Sequence, residues 1–210
     1  MGSKRRAAAD TREHILAVAR ELFYQHGIRA TGVDRVAAEA NVAPPTLYRL
    51  FGSKDDLVAA YLEREDHRYR EWFRAAAAGN GPRERILALF DALAEQVRPE
   101  SCRGCPFLIA LGELPDHDAL GHRHAVTMKH WVRAQFEALT GELAATTPIG
   151  DPQALADHLM LIMEGVYATT QAFGPTGPAA QAHLLVETLL PHEQASPRDA
   201  GGRHRTPVGA

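Results

Sequence analysis

The run TGVDRVAAEANVAPPTLYRLFGSKDDLV, residues 31–58, decides how the rest of the chain is read. Val33, Val36, Ala37 and Ala40 recur at spacings of three and four, the mark of a short amphipathic helix. Asn41 follows, a residue type that tolerates the left-handed conformation of a tight turn. Pro44 or Pro45 then opens a second short helix, because proline sits well in a first turn, and that helix ends near Gly52. Two short helices joined by a tight turn are the pattern of a helix-turn-helix. The small residues Ala37, Ala38 and Ala40 permit a close crossing, and Leu47 and Phe51 anchor the second helix from beneath. Its other side offers Thr46, Tyr48 and Arg49, side chains able to donate to phosphates or base edges. Ser53 and Asp56 have capping-box spacing before a fourth helix, and Lys54 lies beside its unpaired backbone amides, a phosphate-binding position. Paired short helices also occur in bundles that bind no DNA, so the residues alone leave both readings open.

Outward from this stretch the pattern stays helical, and no segment reads as a strand. Residues 11–26 place Ile15, Ala19, Leu22 and Phe23 on one face, with Asp10 and Glu13 at capping-box spacing and Gly27 as the stop. Residues 1–9 are expected to be a flexible arm, in which Lys4, Arg5 and Arg6 could reach a minor groove or simply be solvated. The fourth helix is expected to run from Ser53 to about residue 78, where Gly79-Asn-Gly-Pro82 breaks the chain. Further helices are expected near 83–97, 106–113, 116–145, 152–173 and 178–190. From Pro191 to Ala210 the composition is Pro, Gly, Arg and His without periodicity, which predicts a disordered tail. The expected fold is all-α: a three-helix DNA-binding domain at 1–52 and a six-helix ligand-binding and dimerisation bundle at 53–190.

Charge divides along the same line. The net charge is −3, yet residues 1–54 carry nine Lys/Arg against five Asp/Glu. A basic end on an acidic body suits a polyanion-facing module joined to something else, although chance produces the same skew. The apolar run at 155–166 is broken by His158 and Glu164 and is shorter than the roughly 20 residues of a membrane span. No cationic stretch followed by an apolar run opens the chain, so no signal peptide is expected and the protein is expected to be cytoplasmic.

Residues 11–58 resemble the N-terminal domain of the TetR (tetracycline repressor) family. The matching run is Thr11-Arg-Glu-His-Ile-Leu16, Leu22-Phe23, Gly27, Ala30-Thr31, Val36-Ala37, Ala40-Asn-Val42, Thr46-Leu-Tyr48, Phe51-Gly-Ser-Lys54 and Leu57, without a gap. The resemblance implies a dimeric repressor that grips double-stranded operator DNA and is released by a small-molecule effector. It also implies that Thr31, Thr46, Tyr48 and Lys54 contact phosphates, and that Arg49 contacts bases or backbone. Two departures matter. Ala43-Pro44-Pro45 removes a side-chain cap and two N–H donors from the start of the recognition helix, and Gly32 removes a hydroxyl. The weight of recognition therefore moves to Tyr48, Arg49 and Lys54.

In the second half, one stripe of the seventh helix carries His117, Leu120, His124, Met128, Trp131 and Gln135. Two histidines and a glutamine are polar for a pure core, and an apolar wall with a few directed polar groups fits a ligand cavity. The eighth helix has a similar face in Met163, Tyr167 and Gln171. The expected pocket is Phe107, His124, Met128, Trp131, Gln135, Met163, Tyr167 and Gln171, around a largely apolar ligand; satisfied core packing is the alternative. Gly165, Ala168, Thr169 and Ala172 on another face of the eighth helix, with Leu184 and Glu187 on the ninth, form the expected dimer seam.

Cys102-Arg-Gly-Cys105 invites a redox, metal or thiol-switch reading. A thioredoxin-like site needs a strand–helix context, which is missing, and His122 and His124 are two apart and diverge on a helix. Cys105 precedes a helix start, where a thiolate is favoured. A helical thiol-dependent enzyme, or a redox or metal sensor built on the two cysteines, is the alternative function. No nucleophile–base pair or cofactor fingerprint stands out, so no catalytic residue, metal ligand or cofactor is assigned.

Overall fold

The computed structural model describes residues 2–98, 100 and 102–191, and among these it contains helices and no strand. The helices are α1 (Gly2–His26), α2 (Val33–Glu39), α3 (Pro44–Phe51), α4 (Lys54–Ala76), α5 (Pro82–Gln96), α6 (Pro106–Glu113), α7 (Leu120–Ala144), α8 (Pro152–Phe173) and α9 (Ala182–Leu189). The tail expected to be disordered lies, apart from Pro191, outside the described residues.

Three helix starts differ from expectation. Residues 2–9, expected to be a flexible arm, are the start of α1, which runs back to Gly2. Arg6-Ala-Ala-Ala9 is a strong helix-forming run, so nothing obliges the chain to start a helix at Asp10. The Thr11 hydroxyl donates to the Ala7 carbonyl one turn back, as it does inside a continuing helix. At the other end, Pro178–Gln181 forms a 3-10 turn and α9 begins only at Ala182. The turn at 116–119 likewise delays α7 to Leu120.

The first three helices pack on one another around Ile15, Leu22, Phe23, Val36, Leu47 and Phe51, all buried. An eight-residue helix such as α3 is too short to persist in water alone. Leu47 and Phe51 hold it down, each burial stabilising by roughly 1.5–3 kcal/mol. The guanidinium of Arg12 lies over the Phe51 ring at 5.0 Å, a second tie between α1 and α3.

Helix α4 packs on α1 and α3 at its start and on α5 and α7 further along. Ser53 caps it, accepting from the Asp56 backbone N–H at 3.0 Å. Its later half carries Tyr69, Trp72 and Phe73 into an aromatic cluster. Phe107 stands edge-on to Tyr69, and Trp131 and Phe136 stand edge-on to Phe73. At Gly121 a Cβ would come within 2.8 Å of Leu114 Cδ1 and 3.1 Å of Val58 Cγ1, so glycine permits the close approach of α7 to α4.

Candidate nucleic-acid interface and internal cavity

The turn between α2 and α3 is made by Asn41, whose φ is 51°. The Asn41 N–H reaches the Ala38 carbonyl at 3.0 Å and the Val42 N–H reaches the Ala37 carbonyl at 2.9 Å, the two bonds of a Schellman ending. Ala37 and Ala40 are buried at the crossing, whereas Ala38 is exposed. Ala43 precedes α3 without a side-chain cap, and Pro44 and Pro45 lie exposed in its first turn.

The outward face of α3 is where Tyr48, 47% exposed, and Arg49, also exposed, project. Thr46 is half-buried beside them. Lys54 is half-buried at the start of α4, and its Nζ donates to the Arg29 carbonyl at 3.3 Å. That bond places the ammonium on the loop joining α1 to α2. Thr31 behaves differently from expectation: it is fully buried, and its hydroxyl donates to the Leu22 carbonyl at 3.3 Å. The side chain faces inward because the loop after Ile28 folds back over the end of α1, which makes Thr31 a clasp within the fold.

A cavity of about 320 Å³ opens between α1, α4, the 102–106 loop and α8. Arg20 and Tyr24 enter it from α1, and Glu65, Arg68, Tyr69 and Trp72 from α4. Gln96, the loop residues Cys102 and Gly104, Pro106 at the start of α6, and Tyr167 complete its wall. Of the eight residues expected to line a pocket, Tyr167 does so; its hydroxyl donates to Gln96 Oε1 at 3.0 Å. The other seven stand elsewhere. Phe107 and Met128 are buried in the core, and Met163 Sδ accepts from the Tyr69 hydroxyl at 3.2 Å. Trp131 is sandwiched between Phe73 and the Arg70 guanidinium, 4.4 Å away. His124 and Gln135 are half-buried on α7, and Gln171 is exposed beside Gly104. The α7 stripe packs against the aromatic face of α4 through Trp131 and Phe73.

Helix α6 is fastened at both ends to the end of α1. The Tyr24 hydroxyl donates to the Gly104 carbonyl and accepts from the Arg103 N–H, both at 2.9 Å, and burial pushes its pKa up to about 12. Arg103 also donates to the Gln25 carbonyl. At the far end, Glu113 Oε2 accepts from the Arg29 N–H at 2.7 Å. Gly27, with φ of 91°, leaves room for that carboxylate, since a Cβ would meet it at 2.9 Å.

Among the described residues no group of three or more His, Cys, Asp and Glu is placed to hold a metal ion. Both thiols are free. Cys105 is buried, with Lys129 Nζ 3.2 Å from its sulfur and 2.6 Å from Glu164 Oε1. Burial pushes the Cys105 thiol up despite the opposing pull of Lys129. The expected helix-start preference for a thiolate is thus outweighed, because the sulfur is desolvated.

The α8–α9 side presents Leu161, Phe173, Leu184 and Leu185, all well exposed. Leu161 stands at helical spacing from Gly165, Ala168 and Ala172, so one face of α8 is apolar and small. Ala168, Ala172 and Leu184 are exposed, and Gly165, Thr169 and Glu187 half-buried. Sequence periodicity found the small residues of this face but passed over Leu161, Phe173 and Leu185, which an intact helical projection of α8 and α9 would have added.

A helix-turn-helix whose polar face points outward, carried on a larger helical body, defines a DNA-binding transcription regulator. The profile of the bacterial regulatory proteins of the tetR family matches residues 15–61. SCO4454, a TetR-family transcriptional regulator from Streptomyces coelicolor, superimposes with a TM-score of 0.80 at 31% identity, over 87% of this chain and 95% of that one. The HTH-type transcriptional regulator YjdC of Escherichia coli is 26% identical over 181 residues, 85% of this chain and 93% of YjdC. The HTH-type transcriptional repressor NemR of Escherichia coli is 34% identical over 89 residues, 41% of this chain and 45% of NemR. The chain belongs to the TetR family of transcriptional regulators. No helix among the described residues is long and apolar enough to cross a membrane.

Proposed function

We propose that this regulator is a dimeric repressor that holds operator DNA with α3 and is released by a small molecule bound in its helical body. The observation that carries the reading is the outward face of α3. There Tyr48 and Arg49 stand exposed on a helix whose opposite side, Leu47 and Phe51, is buried. Thr46 and Lys54 flank them as phosphate donors. Thr31 has no part in the grip, because its hydroxyl is taken up inside the fold.

Two copies are needed because half-sites about one DNA turn apart must meet two recognition helices on one face of the duplex. The apolar α8–α9 face supplies the seam, with Gly165, Ala168, Thr169, Ala172, Leu184 and Glu187 near its middle. The repressor direction is supported by the likeness of part of the chain to a relative named as a repressor, NemR, against a likeness of similar extent to one named as an activator, FasR. Release follows from mechanical continuity. A ligand that shifts α4 or α6 moves α1, to which both are bonded, and so changes the separation of the two α3 helices.

Selection from random double-stranded DNA by the purified protein tests this directly. The expected product is an inverted repeat with half-site centres roughly ten base pairs, or a multiple of that, apart. Selection that enriches no sequence would overturn the reading.

A further inference from the structure

The cavity between α1, α4 and the 102–106 loop has a charge imbalance at its wall. Glu65 is buried, and one of its oxygens, Oε1, receives both Arg20 Nε at 2.8 Å and Arg68 at 3.4 Å. Two guanidiniums thus converge on a single carboxylate, which leaves one positive charge uncompensated among the three groups. A guanidinium presents five N–H donors in a planar fork shaped for a carboxylate, and one shared oxygen cannot satisfy two such forks. Beside this head stand the faces of Tyr69 and Trp72, 5.1 Å apart and tilted by 57°. The tyrosine hydroxyls around the cavity already have partners: Tyr24 bonds to Gly104, Tyr69 to Met163 and Tyr167 to Gln96. The wall therefore offers cationic donors at one end and ring surface next to it. Its volume lies at the small end of the roughly 300–1,000 Å³ typical of ligand pockets.

We infer that this cavity is the effector site and takes a small organic acid, an aromatic or similarly flat apolar body bearing one carboxylate. The ligand carboxylate pairs with Arg68 and Arg20, and its body lies against Trp72 and Tyr69. This rests on the proposed ligand-released regulator and adds to it the ligand class and the point of action. The Arg20–Glu65 ion pair joins α1 to α4, that is, the DNA-binding end to the helical body. A second carboxylate competing for Arg20 loosens that tie. Binding of acid and binding of DNA then oppose each other, and by reciprocity each weakens the other by the same factor.

The test uses the full chain with Trp131→Phe, which leaves Trp72 as its sole tryptophan. Benzoate, phenylacetate and cinnamate are titrated against its fluorescence, each beside its neutral amide. At least one acid should quench saturably, with its amide about tenfold weaker or more, the scale of a lost charge-assisted hydrogen bond. Arg68→Gln should weaken the acid by a similar factor and Arg68→Glu should abolish binding. Arg98→Gln, an exposed arginine outside the cavity, should change nothing. Arg68 is nearly half exposed, so both of its variants should keep the wild-type circular dichroism. The inference is overturned if no acid of the three quenches, if amides match acids, or if Arg68→Gln binds as the parent does. Adding the tightest acid to the complex with selected DNA separates the two proposals. Release supports the point of action, and quenching without release contradicts it. A protein that quenches but selects no DNA retains the site and refutes the regulator.

Discussion

Thr31 and Tyr48 both lie in the DNA-binding end, and both matched positions used for phosphate contact, but only Tyr48 has its hydroxyl side exposed. Thr31→Val should therefore lower stability by about 1 kcal/mol, the usual net worth of one intramolecular hydrogen bond. Urea unfolding should show this, and operator affinity of the folded protein should be unchanged. A loss of affinity without a loss of stability would restore Thr31 to the interface. The cysteines separate in the same way. Cys102 lines the cavity and is half-buried, whereas Cys105 is enclosed with its thiol pushed up by burial. Iodoacetamide at neutral pH should label Cys102 well before Cys105, as peptide mass spectrometry would read. Faster labelling of Cys105 would show that the sulfur is reached by solvent in a way its burial does not allow.

Among elements, α3 depends most on its neighbours. Leu47 is fully buried beneath it, and Leu47→Ala should cost roughly 2–5 kcal/mol by denaturant unfolding. A cost below about 1 kcal/mol would mean that α3 is held by something other than its buried side. This helix was legible in the sequence because its signals agree: apolar spacing, proline at the start and glycine at the end. The capping of α4 by Ser53 and the bounds of α6 and α8 were legible for the same reason. The start of α1 was not, since Arg6-Ala-Ala-Ala9 favours helix yet carries no apolar periodicity to mark it. The cavity was not legible in the sequence. Its wall is assembled from α1, α4, the end of α5, the 102–106 segment and α8, and the α4 stripe of Glu65, Arg68, Tyr69 and Trp72 mixes charge with ring surface rather than repeating one residue class. The polar stripe of α7 drew attention instead, although Met128 and Trp131 on it serve the core. The signal that could have been used was Glu65 between Arg64 and Arg68 on a helix otherwise apolar on that side.

At the scale of the whole molecule, side-chain bonds tie the DNA-binding end to the helical body. Tyr24 and Arg103 secure the start of α6, Glu113 secures its end, and Arg20–Glu65 ties α1 to α4. Coupling carried by such contacts is typically about 1–3 kcal/mol, enough to change operator affinity by one to two powers of ten. The opposite side of the molecule carries the apolar α8–α9 face. Leu184→Glu places a charge in the middle of it, and sedimentation should then show a dimer for the parent and a monomer for the variant. A dimer that survives Leu184→Glu would place the seam elsewhere.

The central claim is that α3 grips DNA through Tyr48 and Arg49. Fluorescence anisotropy with the selected operator, at several salt concentrations, measures it for the parent, Tyr48→Ala and Arg49→Ala. The parent affinity should fall steeply and linearly with the logarithm of salt concentration. Each variant should bind about tenfold more weakly or worse at unchanged melting temperature, and Arg49→Ala should reduce the salt slope by about one if it meets a phosphate. Parent-like affinity in both variants, or a flat salt series in the parent, would contradict the account.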